Sequence, residues 1–212
     1  MFASSEFDPR ERFMNHPDSS TSPVETNSTT QIVALTQRWI EHAVIGLQLC
    51  PFARTPYVQK RIRFRVSEAC DTDRLLEDLR DELQSLQGTT LETCETTLLI
   101  HPHVLDDFFD YNDFVEIANG VVKSLDLEGE LQIAGFHPEY QFADTAADAI
   151  ENFTNRSPYP MLHLLRESSI TQAIESMPDT DRIYLRNIDT LRALGHDGWQ
   201  ALWDDKNTSA KL

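Results

Sequence analysis

The sequence predicts an α/β (or α+β) domain: a small, mainly parallel sheet of three or more strands covered by helices. Three observations carry this. Three short β-type runs, IRFRV, TTLLI and LQIAGF, alternate with segments of helical periodicity. Strand–helix alternation favours right-handed crossovers and parallel pairing. No apolar run approaches the ~18 residues of a membrane span.

The elements follow in chain order. Ile32, Leu35, Trp39, Ile40, Ala43, Val44 and Leu47 recur at helical spacing, so a helix is expected over 31–48, ended by Pro51. A strand follows at 62–66. Asp71 caps a second helix, with Leu75, Leu76, Leu79, Leu83 and Leu86 as its stripe and Gly88 as its C-cap. TTLLI at 96–100 is the continuous run of a strand buried on both faces. A helix over 106–125 is expected to turn Phe109, Val115, Ala118, Val122 and Leu125 inward. LQIAGF at 131–136 is the third strand. A helix is expected over 158–176, with Ser157 as N-cap and Pro158 in the first turn. An irregular or helical segment then carries Ile188, Leu191, Leu194, Trp199, Leu202 and Trp203.

Residues 1–30, rich in Ser, Thr, Asp, Glu, Asn and Pro, are expected as a disordered tail, 31–204 as one globular domain and 205–212 as a frayed tail. The net charge of −17 argues against a nucleic-acid partner and an anionic membrane surface. The start of the chain lacks the pattern of a secretory signal. Three cysteines without a CxxC spacing suggest reduced thiols and a cytoplasmic location.

The chemistry-bearing residues concentrate between 135 and 167. Two strands run straight into His-Pro, at His101-Pro102 and His137-Pro138. If those strands are parallel, both pairs emerge at one sheet edge, where α/β sheets bind ligands. His137 is followed by Glu139, Tyr140 and Gln141. Asn155 and Arg156 precede the expected helix N-terminus, an anion-binding position. On that helix His163, Arg166 and Glu167 would share a face.

Three readings stand. The first is an enzyme acting on a small anionic metabolite, with His137 as general acid/base, His163 and Glu167 assisting, and Cys50 as a nucleophile. Arg156 and Arg166 would hold the anion, with Asn155, Tyr140 and Gln141 around it. The second is a metal-binding protein holding a divalent ion on His137, His163 and Glu167, with Cys50 or His101 completing the set. Both readings need His137 and His163 on one side of the sheet. The third is a non-catalytic module whose acidic surface meets a basic partner. For Cys50 a buried apolar role stands beside the nucleophilic one. Arg54 is either a further anion contact or a solvated charge, and Cys70 and Cys94 read as structural.

The segments LCPFA, TTLLIHP, FHPEYQFA and NRSPYPMLHLLRE together resemble a bacterial and plant family of small proteins known only as a domain of unknown function. The resemblance runs from about Gln31 to Trp203 and includes RNIDTLRALG near the end. It implies no activity. It marks motif positions, among them Cys50, Pro51, His101, His137, Tyr140, Arg156, His163, Arg166, Glu167 and Asn187. It also implies Gly at position 144, where this chain has Asp.

Overall fold

The structure is a computed structural model that describes residues 28–176 and 181–204. Of the tails expected over 1–30 and 205–212, residues 1–27 and 205–212 lie outside the described residues, whereas Ser28 caps the first helix and Thr29 and Thr30 open it. The first helix, α1 (Thr29–Trp39), starts two residues before its expected start, because Ser28 and Gln31 form a reciprocal capping box. It continues as a π-helical turn, Ile40–Ile45, and stops well short of Pro51. Gly46 suits this wide turn: a Cβ there would lie 2.3 Å from the His42 carbonyl oxygen. Leu35, expected inward, is 41% exposed. A short helix, α2 (Arg54–Val58), then leads into β1 (Ile62–Val66).

Asp71 caps α3 (Thr72–Gln87) by accepting from the Arg74 amide, and Gly88 ends it. β2 (Thr96–Ile100) is buried at every position, as its apolar run predicts. α4 (Phe108–Ser124) is capped by the Asp107 carboxylate. Its inward stripe is Phe108, Tyr111, Phe114, Ala118, Val121 and Val122. Phe109, expected inward, is 69% exposed, since Phe108 takes the core position one residue earlier. β3 (Leu131–Phe136) follows, then a 3-10 turn at Ile150–Thr154.

The main correction falls on 158–176. Residues Met161–Arg166 form a strand, β4, and only then does α5 (Glu167–Ser176) begin. Ser157 does not cap a helix; its hydroxyl donates to the Tyr159 carbonyl. β4 lies between β2 and β3 and pairs antiparallel with both, in the sheet order β1-β2-β4-β3. A strand flanked on both sides and covered on both faces reads as a continuous apolar run, which periodicity does not separate from a buried helix. Only the β1–β2 ladder is parallel, so the mainly parallel pairing expected from the sequence becomes a mixed sheet. β3 nevertheless runs in the direction of β1 and β2, because β4 reverses between them. The last helix, α6 (Asp181–Ala201), is kinked at Gly195, whose φ is +65°.

The pleat divides the sheet into two apolar layers. Leu99, Leu162 and Leu164 face α3 and α4. Leu98, Ile100, Met161 and Phe136 face α1, the π turn and α6. No helix of the described residues is long and apolar enough to cross a membrane.

Candidate functional site

The α4 layer receives both histidines of the His-Pro pairs. They emerge at one edge of the sheet, as expected, and both pack on Tyr111: its ring centroid lies 5.8 Å from His101 and 5.0 Å from His137. Both histidines are buried. His137 Nε2 lies 3.1 Å from the Leu105 carbonyl, and its Nδ1 accepts the Glu139 amide at 3.0 Å. These bonds make Nε2 the protonated nitrogen and occupy both. His101 Nδ1 lies 3.0 Å from the Val104 carbonyl, while its Nε2 is buried without a partner among the described residues. Burial lowers the pKa of both rings, that of His101 to about 4.

The loop from His137 to Ser157 is braced from within. Buried Asn152 accepts from the Phe142 amide and the Thr145 hydroxyl, and donates to the Ala146 carbonyl. Gln141 Nε2 donates to the Thr145 carbonyl at 2.6 Å. Arg156 donates to the Tyr140 and Ala147 carbonyls, and its guanidinium stacks 4.3 Å above the Phe153 ring. Asn155 donates to the Gly135 carbonyl and bonds the Tyr140 hydroxyl. Asp144, where the resemblance implies Gly, has φ +62°.

His163 lies on the other face of the sheet. It pairs in register with Leu98 and Ala134, and its ring is 6.0 Å from Phe136. His137 packs on Tyr111 and Phe108 in the opposite layer. The structure therefore separates the two histidines that both leading readings require together. Arg166 also leaves His163. As strand residues three apart they project to opposite faces. The Arg166 guanidinium turns to the end of α3 and donates to the Leu86, Thr89 and Cys94 carbonyls. Glu167 opens α5, its amide donating to the Glu130 carbonyl. Among the described residues no group of three or more His, Cys, Asp or Glu is arranged to hold a metal ion.

His163 instead lines a cavity of about 890 Å³, within the range of small-molecule sites. Its floor is the sheet, with Leu98, Ala134, Phe136, His163 and Leu165 side by side. Trp39, Ile40 and Val44 of α1 and the π turn form one wall, and the 50–56 segment another. Ser169, Ile170 and Ala173 of α5 close a third side. Burial pushes the His163 pKa down to about 4, so the ring is neutral. No hydrogen bond engages its ring nitrogens among the described residues.

Cys50 lines the same cavity. Burial raises its thiol pKa, and the Phe52 and Ala53 amides offset this in part. The loop that carries it is held from α6: Asn187 Nδ2 donates to the Leu49 carbonyl and Arg186 to that of Gln48. RNID thus positions LCPFA, a role that residue type alone did not indicate. Sequence reasoning also passed over Trp39, Arg61 and Ser169, which line the cavity. The signal for Arg61 was its place one residue before a strand, matched by Glu95 before the next. Arg54 and Cys70 are exposed, Cys94 is buried, and none of the three cysteines is in a disulfide.

One mixed sheet with helices on both faces, and a ligand-sized apolar cavity under one of them, defines a mixed α/β protein with a candidate small-molecule site. The chain belongs to the family described as Protein of unknown function (DUF1415), which matches residues 31–201. Comparison with curated proteins and with solved structures gives no match.

Proposed function

We propose that the protein binds a small, largely apolar molecule in the cavity beneath the Leu98–Ala134–His163 floor. The observation that carries this reading is the His163 ring: neutral, half-buried, and facing a cavity of about 890 Å³ with no hydrogen bond to its nitrogens among the described residues. A ring nitrogen that is open to the cavity and not engaged by the protein can bond a ligand group without breaking an internal hydrogen bond. A histidine with a pKa near 4 is a weak general base at neutral pH, so its role is to donate or accept a hydrogen bond. The anion donors first drawn from the sequence, Arg156 and Arg166, are bonded to backbone carbonyls and are no part of this reading.

The test uses the neutral fluorophore N-phenyl-1-naphthylamine. Saturable one-to-one binding is expected. Ala134→Phe fills the floor and should abolish it while leaving the melting temperature within a few degrees. Absent binding, or binding unchanged in a folded Ala134→Phe variant, would sink the proposal.

A second reading draws on Cys50 lining the same cavity as His163. It is thiol chemistry on the bound molecule. Burial holds the thiol protonated and weighs against it.

A further inference from the structure

The cavity has a polar end, at the amino-terminal ends of β1 and β2. Arg61 and Glu95 stand one residue before those strands, and the Arg61 carbonyl accepts the Glu95 amide at 2.8 Å. Arg61 Nη2 lies 3.1 Å from Glu95 Oε2. Beside that pair, Arg61 Nε is buried with no hydrogen-bond partner among the described residues. Ser169 Oγ, in the first turn of α5, is likewise buried and unpartnered. Glu95 Oε2 is buried with only its ion pair to Arg61, so this end of the cavity offers two free donors beside one paired carboxylate, and all three residues line the cavity.

From this end we infer the ligand class: an amphipathic monocarboxylate, its apolar body over Leu98, Ala134 and Phe136 and its carboxylate on Arg61 Nε and Ser169 Oγ. The inference rests on the cavity being a ligand site, as proposed above. Among the charged residues lining the cavity, Arg61 and Glu95 form an ion pair, while the Arg166 guanidinium is committed to the Leu86, Thr89 and Cys94 carbonyls. An arriving carboxylate therefore meets a glutamate already neutralised by Arg61 and the amino-terminal dipole of α5. A guanidinium edge and a hydroxyl are a suitable donor set for two carboxylate oxygens.

The experiment is displacement of bound N-phenyl-1-naphthylamine at pH 7.5 by decanoate and by decanol. Both have ten carbons and differ in the head group. The inference expects decanoate to displace the fluorophore at concentrations at least about tenfold lower, although decanol is the more apolar. That preference should disappear in Arg61→Gln and shrink in Ser169→Ala. The second variant removes one hydroxyl and guards against misfolding of the first. Equal displacement by the two compounds, or a preference unchanged in a folded Ser169→Ala and Arg61→Gln, overturns the carboxylate assignment and leaves the cavity reading standing. A fluorophore that never binds overturns both.

Discussion

Tyr111 Oη donates to the Met161 carbonyl at 2.9 Å, tying the inward face of α4 to the first residue of β4. The approach is close enough that a Cβ on Gly135, in β3, would meet Tyr111 Oη at 2.6 Å. Tyr111 also packs against both the His101 and the His137 ring. One phenol therefore holds the histidine edge of the sheet together, and burial pushes its own pKa up. Tyr111→Phe leaves the Met161 carbonyl without this donor and should cost about 1–2 kcal/mol. Gly135→Ala should cost more, about 2–3 kcal/mol, by driving the ring from its place. Urea unfolding midpoints of the two variants measure the order.

Arg166 is expected to act as a clamp on α3 and not as a ligand contact. Its guanidinium reaches the Leu86, Thr89 and Cys94 carbonyls from one planar group. A lysine keeps the charge but lacks the fork. Arg166→Lys should therefore lower stability by about 2–3 kcal/mol. Fluorophore and decanoate affinity, measured well below the melting temperature, should stay within about twofold of wild type. A large loss of decanoate affinity in a stable Arg166→Lys protein would make the residue a ligand donor after all.

How much of this was legible follows from where each residue's environment is decided. IRFRV, TTLLI and LQIAGF carry strand character locally, and Asp71 and Gly88 mark α3 by their own side-chain chemistry. MLHLLR carries no such mark. Methionine, leucine and arginine favour helix, and only the two neighbours of β4 make it a strand. That one change moves His163 away from Arg166 and Glu167 and into the cavity. Much of the polar density between 135 and 167 reports the bracing of a long loop by Asn152 and Arg156. The cavity itself depends on the π turn, β4 and α5 meeting in space, which no local pattern encodes.

Asp144 adopts φ +62°, a conformation that favours glycine, inside the turn where Thr145 N donates to the Phe142 carbonyl. Asp144→Gly should raise stability by about 0.5–1 kcal/mol, part of the left-handed penalty being offset by added freedom of the unfolded chain. Asp144→Val should lower it. Calorimetric melting of the pair gives the sign of each.

His101 and His163 set a pH dependence. Their folded pKa values, about 4, lie below the ordinary 6.5. As pH falls through 6.5 the unfolded chain takes up protons at these rings, and the folded chain does so only near 4. The unfolded state binds more protons across that window, so stability is full above 6.5, declines as pH falls, and levels off below 4. His137 shifts in the same direction and adds to the slope. Melting temperatures between pH 7 and 5, above most carboxylate titration, should fall steadily in wild type. His163→Gln should flatten that decline. An unchanged slope in the variant would show that His163 is not held neutral by burial.

Asn187 and Cys50 are linked through one carbonyl. Asn187 Nδ2 donates to the Leu49 carbonyl at 2.8 Å and so fixes the loop that presents the next residue, Cys50, to the cavity. Removing the amide leaves a buried carbonyl unpaired, so Asn187→Ala should cost about 1–3 kcal/mol. Its more specific effect is on reactivity. Enclosure and a raised pKa make Cys50 slow toward iodoacetamide, whereas exposed Cys70 should react first. In a Cys70→Ser background, Asn187→Ala should speed alkylation of Cys50 several-fold, because the loosened loop admits both water and reagent. Decanoate bound over the floor should slow it again. Mass spectrometry of the alkylated peptide follows both effects, and a Cys50 rate indifferent to Asn187→Ala would show that the α6 contact does not control the loop.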